Sequence, residues 1–445
     1  MRKLIIIFSV FFVFCAHSSF ASYKGFKLKN GLKVYIEENH TLPIVNVTIL
    51  YKVGCIDEYN SITGISHMLE HMNFRGSKHF KDGFIDKLST EFGGIDNAQT
   101  AFDYTVYFTT INKKALKEVL SFYADNMNNL LLLKKRFLKE RSVVYQERLW
   151  RIDNSADGFL YYMLHNLAYL ASPYRWTPIG YSYDIRHYSI KDLRKYYKKY
   201  YAPNNAVLVI SGDINTKDAF ILAKSSFSDK KPINITRNIT KEPNQTGRKV
   251  AYIKKPSSFK KIAIGFKIPL AKNRDSYALD LISYMLFYGK TALMDKNLVK
   301  DKNIFAFISG GNEGRMYDKG LFEIFGDIKN SISFDEARKY IIAELNNIKK
   351  GKFSDEIFKT AKAKALSDYF FSKENLSSNN KNIALYAAFN MLDYYENYPK
   401  NIKTVTKKEV EAVANEYFKE SRESDCFLIP SEGKVVNGNF KGVLR

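Results

Sequence analysis

Hydrophobic positions alternate with polar ones in some stretches of the chain and recur every three to four residues in others, which predicts both strands and helices. From residue 26, FKLKNGLKVYIEE places Asn30-Gly31 between two alternating runs, the pattern of a β-hairpin. IVNVTILYKVG (44–54) is an apolar run typical of a buried strand. YYAPNNAVLVISGDI (200–214) predicts a turn followed by another apolar strand.

The order of these elements repeats after a polar segment. Residues 228–248 carry prolines and lack periodicity, so they form the best candidate for a linker. Beyond them IAIGFKIP (262–269) is similar to VTILYKVG (47–54), and VANEYFKESRESDCFLIPSEG is similar to LRKYYKKYYAPNNAVLVISGD at a comparable offset. Two matches at a consistent spacing indicate a duplicated domain.

We therefore predict an α+β fold of two homologous domains, each an antiparallel sheet covered by helices. The N-terminal domain spans 22–227, the linker 228–248 and the C-terminal domain 249–445. The chain is too long for a single core and long enough for two domains of this size.

The first 21 residues predict a signal peptide. Arg2 and Lys3 precede an apolar run from Leu4 to Ala16, and Ser19-Phe20-Ala21 offers small residues where a signal peptidase cleaves. The run is short for a membrane span, and no later stretch is long and apolar enough to cross a bilayer. We expect an exported protein, most simply periplasmic, with an uncleaved signal that anchors the chain in the membrane as the alternative.

Composition and charge exclude some classes of protein. With 45% hydrophobic and 26% charged residues, the chain is typical of a folded globular protein. A formal net charge of +23 would suit nucleic acid, but the lysines are scattered and form no stripe, so no nucleic-acid partner is predicted. Once the predicted signal peptide with Cys15 is removed, Cys55 and Cys426 remain, which are too few for a disulfide framework, and the sequence does not say whether they pair.

The strongest chemical pattern is in SITGISHMLEHMNF (61–74), which has helical spacing. His67 and His71, at i and i+4, share one side of that helix, and two imidazoles one turn apart can bind the same zinc ion. Glu70 lies beside them, where a carboxylate that is not a ligand can take a proton from water. The alternative is an ordinary helix with two partly buried histidines.

A catalytic zinc site needs a third protein ligand. FLKERSVVYQERLWRI (137–152) predicts a helix in which Glu140 and Glu147, seven residues apart, share a face. The alternative is that both glutamates form surface ion pairs with Arg141, Arg148 or nearby lysines.

Together these stretches resemble the pitrilysin/insulinase family of metallopeptidases, in particular the branch with the mitochondrial processing peptidase and short bacterial homologues. That family carries its zinc motif in this inverted order and takes a third ligand from the end of a Glu-Arg-x-Val-Val-x-x-Glu stretch. Here ERSVVYQE ends at Glu147, seventy-six residues after His71. The resemblance implies one zinc per chain held by His67, His71 and Glu147, with Glu70 as general base and Glu140 supporting catalysis.

The resemblance also implies how substrate binds. GGIDNAQTAFDYTVYF (93–108) is similar to the family strand whose exposed edge pairs with an extended peptide, which assigns Asn97 and Ala98 to substrate binding. Pairing of this kind uses backbone groups and suits varied peptides. In the family the two domains close as a clam-shell around a chamber, which favours short or unfolded peptides.

One position departs from the family. Family members commonly place an arginine and a tyrosine seven residues apart in the second half, and LVKDKNIFAF (298–307) offers Lys300 and Phe307 instead. Lysine lacks the bidentate fork and phenylalanine lacks the hydroxyl donor. Arg315 and Tyr317 are close by at a different spacing. The second half then contributes weakly, or a homologous partner subunit or a second copy in a homodimer supplies these groups.

The resulting hypothesis is a zinc-dependent endopeptidase that acts on short or unfolded peptides. The main alternative is a non-catalytic or partner-dependent subunit of a peptidase complex with the same fold. Such subunits typically lose zinc ligands or the general base, and this chain keeps them. A basic surface-binding protein with incidental histidines does not explain the spacing of Glu147.

Overall fold

A computed structural model describes residues 23–433. The predicted signal peptide (1–21) lies outside the described residues, as does the end of the chain from residue 434. Within 23–433, no helix combines the length and the hydropathy needed to cross a bilayer.

The first half contains six strands and eight helices in the described residues. The strands are β1 (Lys24–Lys27), β2 (Lys33–Glu38), β3 (Ile44–Tyr51), β4 (Ile95–Thr100), β5 (Thr105–Asn112) and β6 (Ala206–Gly212). The helices are α1 (Ile65–Asn73), α2 (Phe84–Glu91), α3 (Leu116–Asn129), α4 (Lys134–Arg148), α5 (Ala156–Ala168), α6 (Ser182–His187), α7 (Ile190–Tyr200) and α8 (Thr216–Phe227).

The described part of the second half contains five strands and seven helices. The strands are β7 (Lys249–Pro256), β8 (Lys260–Ile268), β9 (Phe305–Glu313), β10 (Gly320–Ile328) and β11 (Glu423–Ser431). The helices are α9 (Asp275–Phe287), α10 (Phe334–Lys349), α11 (Asp355–Glu374), α12 (Leu376–Ala388), α13 (Leu392–Glu396), α14 (Tyr398–Thr404) and α15 (Lys407–Tyr417). Two π-helical segments occur at Leu149–Asp153 and Asp295–Asp301.

The predicted hairpin is present. Strands β1 and β2 pair antiparallel, with Phe26 opposite Val34. The turn between them contains Gly31 at a φ of +90°, a value that favours glycine because it has no side chain to clash.

The two halves repeat one sheet topology, which confirms the predicted duplicated α+β fold. The first sheet has the order β1-β2-β6-β3-β5-β4 and the second the order β7-β11-β8-β10-β9. Without β1, the two orders correspond strand for strand. One detail differs from the prediction of antiparallel sheets, because β2 pairs parallel with β6 and β7 pairs parallel with β11. The long connection between the members of each pair permits a parallel crossover.

Helix α12 of the second half covers one face of the first sheet. The sheet contributes Leu50, Val106, Val207 and Val209, and the helix contributes Ile383, Ala384, Ala387 and Ala388, to one buried cluster. Polar contacts reinforce it, since Nδ2 of Asn380 donates to the carbonyl oxygen of Asn46 at 3.1 Å. The other face of this sheet packs on helices of its own half.

The converse contact is made by α5, a helix of the first half that covers the second sheet. Leu160 and Leu164 of α5 pack against Ala263, Cys426 and Leu428 of the second sheet. Each sheet is therefore completed by a helix from the other half, and we call this arrangement the helix exchange.

The segment 228–248 joins α8 to β7 without forming a helix or strand. It is anchored to both halves. The carboxylate of Glu242 accepts hydrogen bonds from the backbone N–H groups of Leu170, Ala171 and Ser172 in the first half. The backbone N–H of Glu242 donates to Asp318 in the second half at 2.7 Å. The segment is thus a fixed strap across the molecule.

The two cysteines of the described residues are separate. Cys55 and Cys426 are both buried and free, and they lie in different apolar clusters. The fold therefore rests on packing and not on a disulfide between them.

Candidate metal centre

Helix α1 is held at its N-terminus by a buried carboxylate. Glu58 accepts hydrogen bonds from the N–H groups of Gly64 at 2.8 Å and Ser66 at 2.9 Å, which satisfies donors that a helix start leaves unpaired. The apolar side of α1 enters the core through Ile65, Met68, Leu69 and Met72. This packing leaves the other side of the helix, with its two histidines and a glutamate, facing a cavity.

Helix α4 brings Glu147 to the two histidines. Oε2 of Glu147 lies 3.6 Å from Nε2 of His67 and 3.2 Å from Nε2 of His71. The two imidazole rings are 4.6 Å apart between centroids and steeply inclined, at 73°. The three predicted ligands therefore converge on one point, although they come from helices seventy-odd residues apart.

This donor set fits a zinc ion. Two imidazole nitrogens and one carboxylate oxygen form the three-ligand set of catalytic zinc, which leaves a position open. The ligand atoms all lie within 4.8 Å of one another, so one ion can reach all three. Among the described residues, no other group of three histidine, cysteine or acidic side chains could hold a metal.

The charge states of the ligands agree in part with metal binding. Burial and the neighbouring His71 lower the pKa of His67 to about 3, which keeps its imidazole neutral. Burial opposes ionisation of Glu147, but its hydrogen bond to His71 and the positive charges of His71 and Arg151 lower its pKa to about 2. Burial also disfavours the charged form of His71, yet its hydrogen bonds to Glu140 and Glu147 raise its pKa to about 9. A cation at the same point would oppose that last shift.

The far nitrogen of His71 has its own partner. Nδ1 of His71 lies 3.0 Å from Oε1 of Glu140, and Nε of Arg75 donates to Oε2 of Glu140 at 2.8 Å. Carboxylates in this position set the tautomer and the orientation of a metal-binding histidine. The family resemblance implies a supporting role for Glu140. The role of Arg75 was not predicted, although its position four residues after His71 places both on one side of the helix.

Glu70 is not in the ligand set and lies at the cavity wall. Its Oε2 accepts a hydrogen bond from Oγ1 of Thr100 at 2.5 Å, and burial raises the pKa of its carboxyl. Thr100 is the last residue of β4, so this contact joins α1 to the edge of the first sheet. No pattern in the sequence predicts this contact of Thr100.

The cavity has a volume of about 840 Å³ and is bounded by both halves. Asn97 and Ala98 of β4, the terminal strand of the first sheet, lie in its wall. The second half contributes Glu313, Gly314, Arg315, Met316, Lys381 and Leu385. The guanidinium of Arg315 pairs with Glu313 at 3.2 Å and lies over the ring of Phe102 at 4.1 Å.

The structure does not bring Lys300 and Phe307 into the cavity lining. Nζ of Lys300 pairs with Asp295 at 2.5 Å, and Phe307, near the start of β9, is 57% exposed. The cavity meets the opposite end of that strand, at Glu313, which is about 20 Å further along. Lys300 and Phe307 therefore lie outside the cavity wall, whereas Arg315 is part of it.

Comparison with known proteins identifies the family of this chain. Residues 33–176 match the family model described as insulinase (peptidase family M16), and residues 187–365 match the model described as peptidase M16 inactive domain. The zinc protease PqqE of Helicobacter pylori is 35% identical over 421 residues, which cover 93% of this chain and 94% of that protein. This chain belongs to the insulinase family of peptidases.

Two further matches agree with this family assignment. A probable mitochondrial-processing peptidase subunit beta of Arabidopsis thaliana is 25% identical over 262 residues, covering 58% of this chain and 49% of that protein. The crystal structure of a protease from Helicobacter pylori matches with a TM-score of 0.89 at 34% identity, covering 92% of this chain and all of that one. The family resemblance and the two-domain clam-shell predicted from the sequence are confirmed.

Proposed function

We propose that this chain is a zinc-dependent endopeptidase that hydrolyses short or unfolded peptides. The observation that carries the proposal is the convergence of His67, His71 and Glu147 at the wall of a cavity, with Glu70 beside them and outside the ligand set. The name of the Helicobacter pylori relative, a zinc protease, supports the same chemistry.

The roles of the side chains follow from their contacts. His67, His71 and Glu147 would hold a zinc ion, which would supply Lewis-acid activation of a water molecule and of the scissile carbonyl group. Glu70 accepts a proton from the attacking water and later donates it to the leaving amine. Thr100 fixes one oxygen of Glu70 by its hydrogen bond, and Glu140 holds the ring of His71.

We assign peptide binding to the outer edge of β4. This strand pairs with β5 on one side and ends the sheet, so its other edge has backbone groups available for an added strand. Asn97 and Ala98 lie in the cavity wall along that edge. A cavity of about 840 Å³ has room for several residues of an extended peptide and excludes a folded domain.

The second candidate is a partner-dependent subunit with the same fold. Lys300 and Phe307 replace the arginine and tyrosine expected from the family, and neither lines the cavity. A homologous subunit, or the second copy in a homodimer, would then supply the missing donors. An assay of the purified chain alone, together with its mass in solution, separates this candidate from a self-sufficient enzyme.

Export to the periplasm is part of the proposal. It is supported by the pattern of Arg2, Lys3 and the apolar run that follows them. Intact-mass analysis of the protein recovered from its native host tests it, and a full-length cytoplasmic product contradicts it.

The test of the catalytic proposal combines metal analysis with peptide cleavage. Wild-type protein should hold one zinc per chain and cleave unstructured peptides until a chelator removes the metal. Glu147→Gln should lose both zinc and activity, whereas Glu70→Gln should keep zinc and lose turnover by about 10² or more, because the amide accepts no proton. Glu118→Gln, at an exposed position of α3, is the matched control. Equal cleavage by Glu70→Gln and wild type removes the general base from the proposal.

A further inference from the structure

Lys381 is an unusual cation in the cavity wall. It is carried by α12, the helix that the second half places on the first sheet. The other two basic residues of the wall have carboxylate partners, since Arg151 contacts Glu147 at 2.9 Å and Arg315 contacts Glu313 at 3.2 Å. Across residues 23–433 no carboxylate lies within 4.0 Å of Nζ of Lys381, which sits 4.7 Å from the ring centroid of Phe108.

The ring of Phe108 places Lys381 relative to the peptide-binding edge. Phe108 of β5 pairs with Asn97 of β4, and residues directly opposite each other project their side chains on the same face of a sheet. A peptide strand added to β4 continues that row, so the side chain of the substrate residue opposite Asn97 projects on the same face. The ammonium of Lys381 is on that face.

The spacing of β4 gives the distance between the proposed subsite and the bond that is cut. Thr100 contacts the proposed general base, Glu70, and Asn97 is three residues back along β4. Three residues of strand span about 10 Å. A substrate residue opposite Asn97 therefore lies about three residues from the bond that is cut.

We propose that Lys381 forms a subsite for a carboxylate of the substrate, about three residues from the scissile bond. The proposal rests on the peptidase function proposed above. The carboxylate comes from an aspartate or glutamate side chain, or from the terminal carboxylate of a short peptide. Burial lowers the pKa of Lys381 because the ammonium is less hydrated than in water. A carboxylate beside it would stabilise the charged form in place of that water.

The first arm of the test measures binding, so that it does not depend on turnover. Fluorescently labelled peptides, each with one glutamate at a different position or glutamine in its place, are titrated into the Glu70→Gln protein. We expect the glutamate peptide to bind roughly three- to tenfold more tightly at one position, as for a partly exposed charge pair. A second peptide pair, ending in an acid or an amide, identifies the terminal carboxylate as the source.

Variants of Lys381 assign the preference to this residue. Lys381→Gln in the same background should abolish the difference between the paired peptides, and Lys381→Arg should keep it because the charge remains. Lys359→Gln removes the same charge from an exposed position of α11 and should leave the preference as it is in the parent protein.

The outcomes separate this inference from the peptidase proposal. Cleavage without any carboxylate preference, or a preference that persists in Lys381→Gln, overturns the subsite and leaves the peptidase intact. A lysine-dependent preference in binding, with no cleavage by the wild type, overturns the peptidase and leaves the subsite. If none of the peptides binds, the subsite is also refuted.

Discussion

Oε1 of Glu140 lies 3.0 Å from Nδ1 of His71, on the side of the ring that faces away from Glu147. The same carboxylate accepts two hydrogen bonds from Arg75, at 2.8 and 3.2 Å. The nitrogen of His71 that we propose as a metal ligand is thus positioned by a contact at the other nitrogen of the ring, and Glu140 is itself held in place by Arg75.

Glu140→Gln should weaken zinc binding by about 10- to 100-fold, because the amide holds the imidazole less firmly and lowers its basicity. Zinc affinity, measured by competition with a chromogenic chelator, checks this. Glu118→Gln should bind zinc as the wild type does. An unchanged affinity in Glu140→Gln would show that the ring of His71 is positioned by packing alone.

The double variant Lys300→Arg with Phe307→Tyr should change kcat/KM for an unstructured peptide by no more than about twofold. The reason is that neither residue lines the cavity, whereas loss or gain of a donor that contacts the transition state typically changes the rate by about 10² or more. Steady-state kinetics of the isolated chain decide the matter. A tenfold rise would mean that the start of β9 reaches the substrate during turnover.

The contact between the halves should make stability depend on pH through Glu37. This residue is 6% exposed, and its Oε2 accepts a hydrogen bond from Asn379 of α12 at 2.7 Å. Burial raises its pKa from 4.5 to about 7, against the opposing charge of Lys373. Because the folded state binds this proton more tightly than the unfolded chain, the stabilising contribution is complete below about pH 4.5 and is lost as the pH rises to 7.

Glu37→Gln removes that titration and should stabilise the protein relative to wild type by up to about 3 kcal/mol more at pH 8 than at pH 4.5. Thermal unfolding of both proteins at the two pH values measures the difference. The same difference at both pH values would show that folding does not shift the pKa of Glu37.

Ile383→Ala should destabilise both halves together. Ile383 is fully buried in α12 against the first sheet, and truncation of such a side chain costs about 2–5 kcal/mol. Calorimetry should show one transition moved to lower temperature. Ile221→Ala, the same change at a residue that is 53% exposed, should have a much smaller effect. Two separate transitions in Ile383→Ala would show that the halves unfold independently.

Much of the fold and part of the candidate metal centre could be predicted because the sequence patterns that specify them are local. The spacing of His67 and His71 places them on one side of a helix whatever the rest of the chain does. Asn30-Gly31 between alternating runs specifies a hairpin in the same way. The approach of Glu147 to the histidines is not local: the helical pattern offered Glu140 and Glu147 as candidates, and the family resemblance chose Glu147.

The contacts that escaped prediction depend on packing between distant elements. Lys381 lies in the cavity because α12 crosses to the first sheet, and nothing in the sequence near Lys381 indicates that destination. Thr100 contacts Glu70 because the edge strand β4 passes beside α1. The parallel pairing of β2 with β6 likewise follows from a connection that spans most of the first half.

The helix exchange has a consequence for the order of synthesis. The first sheet is complete once β6 has been made, yet the helix that covers its second face begins only at Leu376. Until then Leu50, Val106, Val207 and Val209 have no partner from α12, and a growing chain carries this uncovered apolar surface from the completion of β6 at Gly212 until α12 has been made. The half that carries the candidate metal centre therefore depends on the second half, through α12, to bury this apolar surface.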